Sequence, residues 1–401
     1  MKLSFLIMLF IILSRPSTGQ DYPIVHTGVT EFYSAEGILT SLSPEDILYW
    51  QDAGRVYNIA SYTDHGNGTV SDNITGLMWQ QDMGEKLSFA EALITRDTLG
   101  LGGFSDWRIP TIKELYSLIL FTGKVQGAEA ISFFIDTSCF KQPLGDVSSS
   151  EREIDAQTWS ATHYKGLTMK ADTTIFGVNF IDGRIKGYPK YHPRDGSQNK
   201  MYFRMVRGNM NYGMNHFRDN GNGTVTDSST GLMWQQFDDG IARDWESSIK
   251  YCEELELGGY SDWHLPHAKE LQSIVDYSRS PQANQSAAID PVFGVSEIED
   301  PEGNSGHYPY FWASTTHLDG PNPYSGAVYL AFGRALGKMN GELMDVHGAG
   351  AQRSDPKTGD PEDFPSYHGP QGDLRMVFNH CRCVRRAEAV NPIYLTRKSR
   401  K

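Results

Sequence analysis

Apolar residues recur along this chain with two different periods, and the change of period marks its elements. Trp245, Ile249, Cys252 and Leu255 fall on one face at helical spacing, and Asp244 precedes them as an N-cap. An equivalent stretch earlier in the chain opens with Ser88 and Glu91, the spacing of a capping box. A second helix is expected in each half, just after a proline. After Pro110, Thr111 and Glu114 form its box; after Pro266, His267 takes the cap position and should cap more weakly. Short strands fill the rest: Gly-Leu-Met-Trp-Gln at 76–80 and 231–235, Gly-Val-Asn-Phe at 177–180, Ala-Val-Tyr-Leu at 327–330, and an arginine-rich strand closing each half. The turns His65-Gly66-Asn67-Gly68 and Asn220-Gly221-Asn222-Gly223 supply the positive-φ residues of tight hairpins. Two helices set apart from several short antiparallel strands make an α+β pattern, and it occurs twice.

The duplication is explicit in the residues. DHGNGTVSDNITGLMWQQ from Asp64 answers DNGNGTVTDSSTGLMWQQ from Asp219, and LGGFSDWRIPTIKEL answers LGGYSDWHLPHAKEL. Trp79 pairs with Trp234, Trp107 with Trp263 and Trp159 with Trp312, at separations of 155, 156 and 153 residues. The near-constant offset identifies one duplicated unit. Between Arg207 and Arg385 the offset widens to 178, which is 25 more than at the last tryptophan pair. The extra residues are expected between Asn340 and Asp373, a stretch rich in Gly, Pro and Asp without strand or helix periodicity. It reads as a long surface loop, the kind of segment that carries function. The organisation expected is a signal segment at 1–19, a leader at 20–57, copy one at 58–208, copy two at 213–387 and a basic tail at 388–401.

Charge and termini narrow the function classes. With 36 Lys+Arg against 49 Asp+Glu the formal charge is −13, which repels phosphate backbones and argues against nucleic acid as a partner. Lys2, the apolar run Leu3–Leu13 and the small residues Ser17, Thr18 and Gly19 have the order of a secretory signal. That run is too short for a permanent membrane anchor, and no other stretch is long enough to be a transmembrane segment. The expectation is a secreted, periplasmic or cell-surface protein.

The composite pattern GTVxD, TGLMW, GGxSDWRxP, KEL, WxST and RCVR resembles the Lcl C-terminal domain family, also called domain of unknown function 1566. Both copies carry it, over roughly 58–208 and 213–387. The resemblance implies two tandem C-type-lectin-like domains in a bacterial exported or surface protein. For the collagen-like adhesin that names the family, it implies binding of sulfated glycans. Two departures matter. Arg382-Cys383-Val384-Arg385 is intact, but copy one has Arg204-Met205-Val206-Arg207. Neither copy contains the EPN, QPD or WND tripeptides with which calcium-dependent C-type lectins hold sugar.

Four cysteines invite pairing in an oxidising compartment. Cys252 and Cys383 are replaced together in copy one, by Arg96 and Met205, as a bonded pair requires. Cys381, two residues from Cys383, points to the opposite strand face. It either pairs with Cys139, stapling the copies, or both stay free. The hairpin residues Asp64, Asn67 and Asp72, with Asp219, Asn222 and Asp227, offer the oxygen ligands that calcium prefers. A tight turn accounts for the same residues without an ion, and no other cofactor is implied. His264, His267 and Glu270 straddle a proline and a helix start, so they lack the shared helical face of a zinc motif. The tryptophans, repeated with identical neighbours, read as core.

The balance favours a non-enzymatic binding module that meets an extracellular ligand, a glycan by resemblance, through loops on a fixed frame. A structural component among other envelope proteins is the alternative. The DWRxP and KEL blocks are also distantly similar to formylglycine-generating enzymes, which act through a cysteine pair. No Ser/His/Asp set, phosphate loop or metal quartet can be placed on the chain.

Overall fold

The computed structural model describes residues 22–125, 131–192 and 195–387. The signal segment at 1–19 and the basic tail at 388–401 lie outside the described residues.

Copy one begins with the hairpin β1 (Tyr62–Asp64) and β2 (Thr69–Asp72), followed by β3 (Leu77–Gln80). The helices α1 (Phe89–Thr98) and α2 (Ile112–Tyr116) come next. Strands β4 (Thr158–His163), β5 (Thr174–Asn179), β6 (Arg184–Pro189) and β7 (Val206–Gly208) complete it. Copy two repeats the order with β8 (Phe217–Asp219), β9 (Thr224–Asp227), β10 (Leu232–Gln235), α3 (Trp245–Glu254) and α4 (Ala268–Ser273). It continues with β11 (Tyr310–Thr316), β12 (Gly326–Ala331), β13 (Leu336–Met339), β14 (Glu342–Asp345), β15 (Gln352–Pro356) and β16 (Val384–Arg386).

Each copy forms an antiparallel sheet of four strands, ordered β1-β2-β3-β7 and β8-β9-β10-β16. The last strand of each copy thus returns beside the Leu-Met-Trp-Gln strand. The other strands do not stay apart. They form one six-stranded sheet, ordered β11-β12-β15-β6-β5-β4, in which Ile185 of copy one pairs with Gln352 of copy two. The repeat leads to the expectation of two tandem domains, one per copy. The structure joins them, because pairing β6 with β15 removes two open sheet edges.

The core shows the same joining. Trp79 and Trp234 belong to one apolar cluster that runs through both copies, together with Leu115, Leu271, Phe176 and Phe311. Trp107 and Trp159 lie in a cluster of copy one, and Trp263 and Trp312 in a cluster of copy two that also takes Trp50. All six paired tryptophans are at most 4% exposed, so the core reading of them holds.

The caps follow the residues that encode them. Ser88 with Glu91 and Thr111 with Glu114 form complete capping boxes, and the Asp244 side chain accepts from the Ser247 amide. His267 also closes a full box: its Nδ1 accepts the Lys269 and Glu270 amides, at 3.2 and 3.3 Å. Burial holds the ring in place and makes it a better cap than its residue type implied. Gly102 and Gly258 are required by space and by backbone. Both have positive φ, and a Cβ at either would stand 2.7 or 2.8 Å from the methyl of Thr69 or Thr224.

The stretch from Asn340 to Asp373 is not the irregular loop its composition suggested. It contains β14 and β15 and ends at a short pairing of Tyr367–His368 with Asp373–Leu374. Strand β13, the first arm of the β13–β14 hairpin, precedes it, and Asp373 pairs with Gly337 on that strand. Backbone pairing with neighbouring strands supplied the regularity that side-chain periodicity did not show.

The leader crosses over. The described part, from Tyr22, packs chiefly on copy two although it precedes copy one. Trp50 enters the core of copy two, Arg55 pairs with Glu253 at 2.6 Å, and the Arg386 guanidinium covers the Tyr57 ring at 3.7 Å.

Candidate functional site

The residues of the repeated motif are scaffold. The first arginine of each closing strand is buried and donates to three main-chain carbonyls. Arg204 reaches those of Gln80, Gln81 and Lys141 at 2.6–2.9 Å, and Arg382 those of Gln235, Gln236 and Gly294 at 2.6–2.7 Å. The second arginine pairs with the aspartate of the Ser-Asp-Trp block, Arg207 with Asp106 at 2.6 Å and Arg385 with Asp262 at 2.7 Å. Each of these guanidinium groups also covers an aromatic ring, Phe104 or Tyr260, at 3.8 Å. So many geometric commitments explain why the pattern occurs twice.

Cys252 and Cys383 form the disulfide expected, tying α3 to the start of β16 across 131 residues. The second pairing does not form. Cys139 sits in a turn of copy one, its carbonyl accepting from Gln81, whereas Cys381 is buried in the core of copy two. Burial pushes the Cys381 thiol up to about 12.

The hairpin residues that offered oxygen ligands are engaged in turns. Asp64 accepts from the Gly66 amide and the Gln81 side chain, and Asn67 accepts from Thr69. Asp72 turns away to accept the Ile74 and Thr75 amides of the next turn. In copy two Asp219 accepts from Gly221, Asn222 from Thr224, and Asp227 from His216, Ser229, Thr230 and Asn215. Each set is divided between separate turns. Among the described residues, no group of three His, Cys, Asp or Glu side chains is placed to hold a metal ion. His264 and His267 do approach Glu270, at 3.5 and 3.9 Å, but within a buried network that includes Tyr57 of the leader.

A cleft of about 620 Å³ lies where the copies join, over β6 and β15. Alternation along β6 brings Arg184, Lys186 and Tyr188 to its lining, and β15 contributes Arg353 and Asp355. Residues 319–326 form one wall and residues 368–375 another. The suspected segment thus contributes to the cleft, as a strand and an ordered turn. Sequence reasoning missed the β6 face, although Arg184, Lys186 and Tyr188 at every second position were a readable signal.

The cleft is polar and densely paired. Arg184 lies between Asp182, at 3.2 Å, and Asp319. His347 Nε2 is 2.7 Å from Arg353 and 2.6 Å from Asp373, and Arg353 also meets Asp373 directly. Burial holds His347 down at about 4, so this imidazole is neutral near pH 7. Burial, reinforced by the Arg353 charge, pushes the Lys186 ammonium down to about 7 against the pull of Asp182. Burial raises the Asp355 carboxyl to about 7 while its Oδ2 accepts from Asn379 at 3.0 Å. Several buried atoms of these lining residues have no hydrogen-bond partner among the described residues: Asp182 Oδ1, Asp319 Oδ1, Asp355 Oδ1 and Arg184 Nε. The lining sets acidic and basic side chains side by side.

The fold and the cleft define a duplicated, mixed helix-and-strand protein whose two copies share one sheet. The profile of the Lcl C-terminal domain matches residues 68–207 and 223–346, about two thirds of the chain, and the chain belongs to that family. The second match stops before β15 and β16, beyond the inserted hairpin. No curated protein and no solved structure matches the chain. No helix among the described residues is long and apolar enough to cross a membrane.

Proposed function

We propose that this is an exported, non-enzymatic binding protein with two C-type-lectin-like copies, which recognises an extracellular glycan in the cleft between β6 and β15. One observation carries the reading. The cleft gathers the charged side chains of Asp182, Arg184, Lys186, Asp319 and Arg353 around one concave space, and Tyr188 adds an aromatic ring to the lining. Sugar hydroxyls both donate and accept, and a concave site with convergent polar groups suits them. The cysteines support a binding role over cysteine catalysis. Cys383 is tied in the disulfide, and the Cys381 thiol is buried and hard to ionise. A glycan array on the mature chain, with and without chelator and in graded salt, tests the reading. Retention that survives the chelator and is lost in Lys186→Met is expected. No glycan retained under any condition overturns it. Export is tested separately, by N-terminal sequencing of protein recovered outside the cytoplasm, which should begin after Gly19.

A further inference from the structure

The two copies present equivalent grooves beside their second helices, and among the described residues only one of them is filled. On the side of α4 the leader fills it. The Phe121 amide donates to the Thr27 carbonyl at 2.8 Å, and the Thr315 hydroxyl donates to Asp52 Oδ2 at 2.6 Å. The Lys269 ammonium donates to the His26 carbonyl at 3.1 Å, and the backbone of Gly28, at positive φ, passes against Leu120.

By the repeat offset, Phe121 corresponds to Tyr277, Thr315 to Thr162 and Lys269 to Lys113. These three residues line an open groove of about 510 Å³ beside α2. Lys113 is engaged there by the inter-copy segment, donating to the Gly213 carbonyl and to Asn215. Among the described residues the other two donors meet no acceptor. The Thr162 hydroxyl oxygen accepts the Ile112 amide at 3.0 Å, as Thr315 accepts that of Ala268, but among the described residues its proton meets no acceptor. The Tyr277 amide likewise has no acceptor among the described residues. Met210 and Met214, 71% and 56% exposed, stand at the rim, with Ile112 and Val275 lining the groove.

We propose that this groove docks an extended, acidic segment of a partner protein. Such a segment supplies a main-chain carbonyl to the Tyr277 amide and an Asp or Glu carboxylate to the Thr162 hydroxyl. The template is the leader itself, which satisfies the corresponding donors on the other side with Thr27 and Asp52. The described leader lies on the other side, and the proposal assigns this groove to an equivalent segment of another chain. The partner's apolar side chains cover the two methionines, and main-chain pairing gives register.

The probe is a labelled synthetic peptide of residues 22–57, titrated into the full mature chain and followed by fluorescence anisotropy. Saturable one-to-one binding is expected. It should weaken at least tenfold when the peptide carries Asp52→Asn, and equally when the protein carries Thr162→Val or Met214→Arg. The rim substitution Met214→Arg keeps the test valid if Thr162→Val disturbs α2. Four outcomes overturn the proposal. They are no binding up to about 1 mM peptide, binding indifferent to both protein variants (exchange with the resident leader), competition by acetate or succinate alone (a small-molecule carboxylate site), or self-association of the chain that Met214→Arg abolishes (a second copy as occupant).

Discussion

The Lys269 ammonium donates to the Ser117 carbonyl at 2.9 Å, although the two residues belong to different copies of the repeat. The relation is reciprocal, since Lys113 donates to the Ser273 carbonyl at 2.6 Å. Each lysine of the Lys-Glu-Leu block therefore ties down the end of the other copy's second helix, where carbonyls lack helical partners. The joined sheet and this clasp hold the copies in one arrangement, with the cleft on one side and the open groove beside α2.

Lys269 makes that arrangement dependent on pH. Burial pushes its ammonium down to about 7, from an ordinary value of 10.5. Between these values the unfolded chain holds a proton that the folded chain has released, so stability rises with pH. The cost of burying the charge is complete below about pH 7 and gone above about pH 10.5. Lys269→Met should remove this contribution. The stability of the natural chain relative to the variant is expected to climb between pH 7 and 10, by up to about 1.4 kcal/mol per pH unit. Urea titrations of both proteins across that range check it, and parallel curves would contradict it.

Asp355 titrates with the opposite sign. Burial raises its carboxyl to about 7, so the folded state holds a proton that the unfolded state has lost. That contribution to stability is complete below the ordinary value of 3.8 and disappears as pH rises through about 7. Asp355→Asn should therefore match the natural chain near pH 4 and exceed it in stability at pH 8. Thermal melts at the two pH values decide, and equal melting points at pH 8 would count against a buried, protonated carboxyl.

The disulfide closes 131 residues of copy two, and Cys252→Ser should cost about 2–4 kcal/mol under non-reducing conditions. Reductant should abolish the difference between the two proteins. Alkylation of the folded chain should label Cys139, which is half-buried, and reach Cys381 only after denaturation. A folded protein with no titratable thiol would restore the second bridge.

Arg382 is buried with all its hydrogen bonds on main-chain carbonyls, and a lysine cannot reach three acceptors in that fork. Arg382→Lys should leave at least one carbonyl unpaired, at about 1–3 kcal/mol. Arg204→Lys should do the same in copy one. Denaturant midpoints unchanged by both substitutions would mean that water replaces the lost partner.

The elements whose signals are local were legible in the residues. Ser88 with Glu91, Thr111 with Glu114 and the Asn-Gly turns each specify a feature within reach of a few neighbours, and the joint loss of Cys252 and Cys383 from copy one marks the disulfide by comparison of the copies. The cleft was only partly legible. Arg353 and Asp355 lie within the suspected stretch, but their strand character comes from pairing with β6 and β12, nearly 170 residues and about 25 residues away along the chain. Composition alone made that stretch look irregular.

The amino-acid sequence by itself determined the duplication, the helix caps, the turn positions, the buried tryptophans and the one disulfide, because each rests on period, capping chemistry or the comparison of one copy with the other. Only the tertiary structure decided that the two copies share a sheet, that the leader lies across copy two, and that one groove is filled while its counterpart stays open. Those outcomes depend on sheet edges and buried donors finding partners at long range, and no local pattern of side chains records which partner wins.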